Sequence, residues 1–80
     1  MDNPTVKNLI RSITKKQLRY VFSTTKKPIS NGKMRRKFIT DDFIKNKLII
    51  DIKTYRKIKE FDFNQTQVIV NHFKIDSDDI

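Results

Sequence analysis

The chain has 80 residues, a formal net charge of +9 and no cysteine. This length is enough for one small domain. The absence of cysteine excludes disulfides, Cys-based zinc sites and a thiol nucleophile. No apolar run approaches the roughly 18 residues of a membrane span, and no apolar signal segment stands at the N-terminus, so we expect an intracellular protein, in the cytoplasm or nucleoid, or in the nucleus of a eukaryote.

The first predicted helical region covers residues 5–23. Thr14 and Gln17 have the spacing of a capping box, so we expect a bend near residues 12–14 and a new helix that begins there and runs to about Ser23. A capping box stabilises a helix start by pairing two backbone N–H groups with side chains. The new helix would then have one apolar face, formed by Leu18, Val21 and Phe22.

Residues 24–33 are predicted to form a loop. Pro28 disfavours helix at the residue before it, and the pair Asn31-Gly32 is a strong turn signal. Helix is expected to resume after Gly32.

Thr40 has the features of a helix N-cap, because two acidic residues follow it in what would be the first turn. The pattern predicts a helix from residue 41 to about residue 48. Its buried face would consist of Phe43, Ile44 and Leu48.

The segment 48–75 fits either helix or strand. Leu48, Ile50 and Ile52 alternate as in a strand, and their β-branched character favours strand there, whereas the spacing of the next apolar residues is helical. In residues 64–75, Asn64 and Gln67 fit a helix N-terminus that would bury Val68, Ile69, His72 and Phe73, while Val68-Ile69-Val70 equally fits a buried strand.

We therefore predict a mainly α domain over residues 1–75, with a short β-hairpin in 48–75 as an alternative, and an acidic tail over 76–80.

The distribution of charge is the strongest signal in the sequence. Residues 1–59 carry 17 basic and four acidic residues, whereas residues 60–80 carry one basic and five acidic residues. The abundance of Lys, Ile and Asn also fits an AT-rich genome, which raises lysine content by itself, but codon bias does not place the acids at one end. Between Pro4 and Thr40 there are eleven basic residues and no acidic one.

We call the segment from Pro4 to Thr40 the basic block. A block of one sign repels itself unless an anion neutralises it, and nucleic-acid phosphates are the commonest such partner. The alternative is a solvated basic surface. The nucleic-acid-binding residues predicted on this basis are Lys7, Arg11, Lys15, Lys16, Arg19, Lys26, Lys27, Lys33, Arg35, Arg36 and Lys37.

Three aromatic residues lie among these charges. Tyr20, Phe22 and Phe38 can stack on unpaired bases, which would favour single strands or RNA. Because the first 40 residues contain few other large apolar side chains, we expect these rings to belong to the core instead. Duplex DNA is therefore favoured over single strands and over RNA.

The sequence offers no catalytic or metal-binding constellation. His72 is the single histidine, and one histidine without cysteine makes no familiar zinc site or triad. Asp76, Asp78 and Asp79 lack the glycine and distal glutamate of an EF-hand loop, so they are expected to form a solvated tail. We expect neither an enzyme nor a cofactor.

Three short blocks, SITKKQLRYVF, PIS and RRKFITDDFI, resemble the C-terminal domain of DEK-type chromatin proteins. The resemblance covers roughly residues 12–48, and the spacing between the blocks differs by several residues. It implies a small, helical, winged-helix-like DNA-binding domain. It assigns no role to individual residues.

These observations predict a compact domain of helix-turn-helix or winged-helix type. It would bind duplex DNA through phosphates as a small transcription regulator or architectural factor, and such domains often act as homodimers. The first alternative is a small adaptor or inhibitor, of the kind that phages and mobile elements encode, which binds an acidic patch on a host protein. The second is an RNA-binding or ribosome-associated protein.

Overall fold

The computed structural model describes residues 12–76. The described residues form short helices and no strand, so the fold is mainly α, as predicted, and the alternative of a β-hairpin in 48–75 is wrong. The helices are α1 (Lys15–Val21), α2 (Asn31–Lys37), α3 (Asp41–Phe43), a π-helical segment (Ile44–Leu48), α4 (Ile52–Lys57) and α5 (Phe63–Phe73).

Helix α1 begins where the sequence predicts. The backbone N–H of Gln17 donates to Thr14 Oγ1 at 3.0 Å, and the backbone N–H of Thr14 donates to Gln17 Oε1 at 2.8 Å. This is the predicted capping box, and it satisfies two N–H groups that the helix leaves unpaired. The helix ends at Val21, two residues before the predicted end, and the predicted helix that precedes the bend lies mostly outside the described residues.

The start of α2 differs from the prediction. Helix begins at Asn31, because Ser30 accepts a hydrogen bond from the backbone N–H of Lys33 at 3.1 Å and so caps the helix. The dipeptide Asn31-Gly32 therefore forms the first helical turn, and the predicted turn there is wrong. Gly32 does not have a positive φ, so its special backbone freedom is not used.

The predicted helix after Thr40 is confirmed. Thr40 Oγ1 accepts from the backbone N–H of Phe43 at 3.3 Å, and Asp41 and Asp42 occupy the first turn. Helix α3 continues directly into the π-helical segment Ile44–Leu48. The predicted packing face is buried: Phe43, Ile44 and Leu48.

The preference for strand after Leu48 is wrong. Ile49 ends the π-helical segment in the left-handed conformation, with φ 58° and ψ 49°, which breaks any extended run. Asp51 then accepts from the backbone N–H of Thr54 at 2.6 Å and caps α4. The alternating residues thus fall in three places: Leu48 ends the π-helical segment, Ile50 lies in the connection, and Ile52 begins α4.

Helix α5 is likewise capped by residues other than those predicted. Asp62 and Gln65 form its capping box, with hydrogen bonds of 2.7 and 3.1 Å, whereas Asn64 and Gln67 lie inside the helix. Ile69 and Val70 face the core, and His72 is exposed. The helical alternative for residues 64–75 is therefore correct and the strand alternative is wrong.

A pairing of two extended segments joins the beginning and the second half of the described chain. Lys15 N–H donates to the Lys59 carbonyl at 3.0 Å, and Phe61 N–H donates to the Ile13 carbonyl at 2.9 Å. Thr14 and Glu60 form an isolated antiparallel bridge between them. The pairing buries Ile13 and Phe61 completely and leaves the polar side chains beside them at the surface.

One hydrophobic core connects all the helices. Its buried apolar residues are Ile13, Leu18, Met34, Ile39, Phe43, Ile44, Leu48, Tyr55, Phe61, Ile69, Val70 and Ile75.

The aromatic residues of the basic block separate into two environments. Phe22 and Phe38 stack with ring centroids 4.2 Å apart, and Phe73 meets Phe22 edge-on at 5.0 Å. The three rings pack against the core, so the expectation of a core role is confirmed for Phe22 and Phe38. Tyr20, in contrast, is 48% exposed and is not part of the core cluster, so the expectation of a core role is wrong for Tyr20.

None of the helices in residues 12–76 is both long enough and apolar enough to cross a membrane.

Ile49 offers a test of the backbone analysis. It is 77% exposed and β-branched, yet has a positive φ, a conformation that costs an L-residue roughly 1–2 kcal/mol. We expect Ile49→Gly to raise the free energy of unfolding by about 0.5–1 kcal/mol, because relief of strain exceeds the added entropy of the unfolded chain. The measurement is thermal unfolding followed by circular dichroism.

Ile49→Val is the matched control, because valine keeps the β-branch and should unfold within about 0.5 kcal/mol of the wild type. A glycine variant less stable than the wild type would contradict the assignment of strain at this position.

Candidate nucleic-acid interface

An open groove of about 440 Å³ lies between α1, the start of α2 and the end of α4. We call it the basic groove. Among the described residues, those that line it include five basic side chains and no acidic one. The lining consists of Thr14, Lys15, Lys16, Arg19, Asn31, Arg56, Ile58 and Lys59.

Backbone pairing sets the two walls of the basic groove. The hydrogen bond from Lys15 N–H to the Lys59 carbonyl fixes the second half of the chain against the beginning of α1. The side chains of Lys16 and Lys59 are both exposed beside this contact. A backbone hydrogen bond thus holds these two positively charged side chains beside the same groove. Their positions do not depend on attraction between the side chains.

The loop before α2 is tied to α1 at Arg19, a residue of the groove lining. Arg19 Nε donates to the Ile29 carbonyl at 2.7 Å, and Ile29 N–H donates to the Arg19 carbonyl at 3.0 Å. This reciprocal pair ties the loop to α1 and fixes the direction of the arginine side chain. The other N–H groups of the guanidinium are not used by this contact, so Arg19 retains donors for an anion.

Lys15 is held at the base of the basic groove by α4. Its ammonium donates to the Tyr55 carbonyl and lies 3.9 Å from the centroid of the Tyr55 ring. Burial lowers the pKa of Lys15, and the nearby charge of Arg35 lowers it further. Lys15 therefore has a structural contact of its own, and it contributes positive charge to the floor of the groove.

Arg35 approaches the same tyrosine ring. Its guanidinium carbon lies 5.1 Å from the ring centroid, and its terminal nitrogen pairs with Asp41. The hydrogen bond from Arg35 lowers the pKa of Asp41. Arg35 is thus partly neutralised within the protein, and it is less suited to phosphate than its neighbours Arg36 and Lys37, which are exposed.

The structure separates the predicted binding residues into groups. Lys15, Lys16 and Arg19 lie in the basic groove. Lys26 and Lys27 are exposed in the loop before α2, and helix α2 carries Lys33, Arg35, Arg36 and Lys37. Lys7 and Arg11 lie outside the described residues.

Two groove residues, Arg56 and Lys59, were not predicted. They follow Thr40, where the basic block ends, and they come from the segment whose secondary structure the sequence left ambiguous. The pairing of residues 13–15 with residues 59–61, and the contact of Lys15 with Tyr55, bring them to α1. No local sequence pattern predicts that pairing, because the paired residues form a single bridge and no strand.

Several carboxylates of the described residues are engaged away from the basic groove. Asp51 and Asp62 cap helices, and hydrogen bonds from Thr54 lower the pKa of Asp51. Asp41 pairs with Arg35, and Glu60 accepts from the Ser12 hydroxyl at 2.9 Å. These acids therefore stabilise the fold locally and are not part of the groove lining, although the charge of Arg56 also lowers the pKa of Asp41.

Other surface features of residues 12–76 fit an anion less well. A concavity beside α5 includes Asp76, and another beside Phe43 includes Asp42. No group of three or more potential metal-ligating side chains occurs within the described ranges. The basic groove is therefore the best candidate site that the described structure presents.

No family model, curated protein or solved structure matches the chain. The resemblance to DEK-type domains thus rests on its short sequence blocks alone. The charge and geometry of the basic groove are the features that indicate a function.

Lys15 and Lys16 form a matched pair for testing the structural contact. Lys15→Ala should lower the free energy of unfolding by about 1–2 kcal/mol, because it removes a charged hydrogen bond and a cation–π contact. Lys16→Ala removes the same charge from an exposed neighbour and should change stability by less than about 0.5 kcal/mol. Urea unfolding measures both, and equal losses would contradict the anchoring role of Lys15.

Tyr55→Phe tests the environment of the buried ring. The hydroxyl of Tyr55 is buried and has no hydrogen-bond partner among the described residues, so its removal should leave stability at pH 7 unchanged or raise it by about 1 kcal/mol. Burial raises the pKa of Tyr55 to about 12. A raised tyrosine pKa contributes stability that is present below the unfolded pKa of about 10 and is lost as the pH rises through the folded value.

The phenylalanine variant should therefore lose less stability than the wild type between pH 10 and pH 12. Unfolding in urea across that pH range measures the difference. Parallel curves for the two proteins would show that the Tyr55 hydroxyl titrates normally.

Proposed function

We propose that the protein binds duplex DNA through phosphate contacts in the basic groove. The observation that supports this is the concentration of Lys15, Lys16, Arg19, Arg56 and Lys59 around one concave surface without a described carboxylate. Such a surface attracts a polyanion, and release of counterions from DNA adds to the binding free energy.

The ligand is a phosphate backbone because the groove presents distributed donors of two kinds. The exposed lysines act as point charges, whereas the arginines donate to phosphate oxygens in pairs. Lys26, Lys27, Lys33, Arg36 and Lys37 extend the positive surface from the groove along the loop and α2. Phosphate contacts position a protein without reading bases, which suits an architectural factor or a small regulator.

We further propose a helix-turn-helix arrangement for α2 and the helix that follows it. Residues 38–40 connect them, and a turn of about three to four residues is typical of that motif. The winged variant has less support, because no strand occurs in residues 12–76. A homodimer, as in many such proteins, would double the number of phosphate contacts.

The proposal predicts a local effect on salt dependence. If about six phosphates are neutralised, the logarithm of the association constant should fall against the logarithm of salt concentration with a slope of about −5. Lys16→Ala with Lys59→Ala removes two groove charges, and it should weaken binding and flatten the slope by about 2. Fluorescence anisotropy with a labelled duplex measures both quantities.

Lys47→Ala with Lys74→Ala is the matched control. These two lysines are exposed and do not line the groove. The control variant therefore has the same net charge as the Lys16→Ala, Lys59→Ala variant but keeps the groove intact. Equal slopes for the two double variants would contradict a binding site in the basic groove. Tighter binding of an RNA duplex of the same length would favour an RNA-binding function, and no binding of any nucleic acid would favour a protein partner.

A further inference from the structure

We infer that Tyr20 and the basic groove together form a site for an unpaired nucleotide, with the base on the tyrosine ring and the phosphates in the groove. The inference rests on the proposed function and extends it. It assigns a preferred DNA structure: a duplex with an unpaired base at an end or junction.

Tyr20 is set apart from the other aromatic residues of the basic block. Phe22 and Phe38 stack on each other and pack against the core. The Tyr20 ring is 48% exposed and is not part of the aromatic contacts that the described residues make. A half-exposed ring on a strongly cationic surface has a free face available to a base.

The position of Tyr20 on α1 places it at the rim of the groove. Lys16 lines the groove, and Tyr20 follows it by four residues on the same helix. Side chains at this spacing are neighbours on a helix surface, with Cβ atoms roughly 5–6 Å apart. Arg19 also lines the groove but points to the Ile29 carbonyl, so Lys16 is the groove cation on the same helix face as the ring.

This arrangement combines the two contacts that recognise an unpaired nucleotide. Cations hold the phosphates, and an aromatic ring stacks on the base, which contributes roughly 1–3 kcal/mol per base. A base inside a duplex has both faces covered by its neighbours and cannot stack on Tyr20. The ring therefore adds affinity only where a base is unpaired, whereas the groove binds both forms.

Phe63 provides a matched control on the same protein. Its ring is also 48% exposed, but it lies on α5, which contributes no residue to the groove lining. Because Tyr20 and Phe63 are equally exposed, replacing either one by alanine removes a similar area of exposed aromatic surface. Only removal of Tyr20 should alter the recognition of an unpaired base.

The test uses three probes: a blunt duplex, the same duplex with a three-thymine overhang, and the same duplex with a three-nucleotide abasic overhang. The two overhangs carry equal phosphate charge, so their difference isolates the bases. We expect the wild type to bind the thymine overhang about 5- to 100-fold more tightly than the abasic overhang. Tyr20→Ala should abolish that preference without weakening the blunt duplex, while Tyr20→Phe and Phe63→Ala should retain it.

The outcomes separate the inference from the proposed function. Tight binding of all three probes without preference, or a preference that survives Tyr20→Ala, overturns the role of Tyr20 and leaves the phosphate groove intact. Failure of the wild type to bind any probe overturns the proposed function together with the inference. Circular dichroism confirms that each variant retains its helices.

Discussion

The contact of Lys15 with Tyr55 connects the two halves of the candidate site. The ammonium group binds the Tyr55 carbonyl and lies over its ring, while the backbone of the same lysine pairs with Lys59. One residue thus joins α1 to α4 and to the segment that follows α4. Together with the packing of Ile13, Leu18, Tyr55 and Phe61 in one core, this junction positions Arg56 and Lys59 opposite Lys16 and Arg19.

Repulsion between like charges is the cost of such a groove, and the fold offsets it by several means. Backbone hydrogen bonds hold the walls, the Ile29 carbonyl accepts from Arg19, and the Tyr55 ring faces two cations. Acidic side chains are used for helix caps and for the pair with Arg35. The protein is therefore stable with an excess of positive charge on one surface, where an anionic ligand would lower the repulsion further.

Local signals in the sequence predicted the helices that depend on local chemistry. The capping box of Thr14 and Gln17 and the cap at Thr40 are confirmed, and each needs only residues three positions apart. The equally local caps at Ser30 and Asp62 were missed. Residues 48–52 were misread as strand because the left-handed Ile49 and the cap at Asp51 override β propensity. Only part of the groove could be predicted. Its α1 residues belong to the basic block, whereas Arg56 and Lys59 reach the groove through a long-range pairing that has no local sequence signature.

The most direct measurement is a map of the backbone amide chemical shifts during titration with a short DNA duplex. We expect the largest shifts at Lys16, Arg19, Arg56 and Lys59. These shifts should follow one binding curve, and added salt should reverse them. Shifts concentrated elsewhere, for example at Lys47 and His72, or a spectrum unchanged by DNA at low salt, would contradict the central claim that the basic groove binds phosphates.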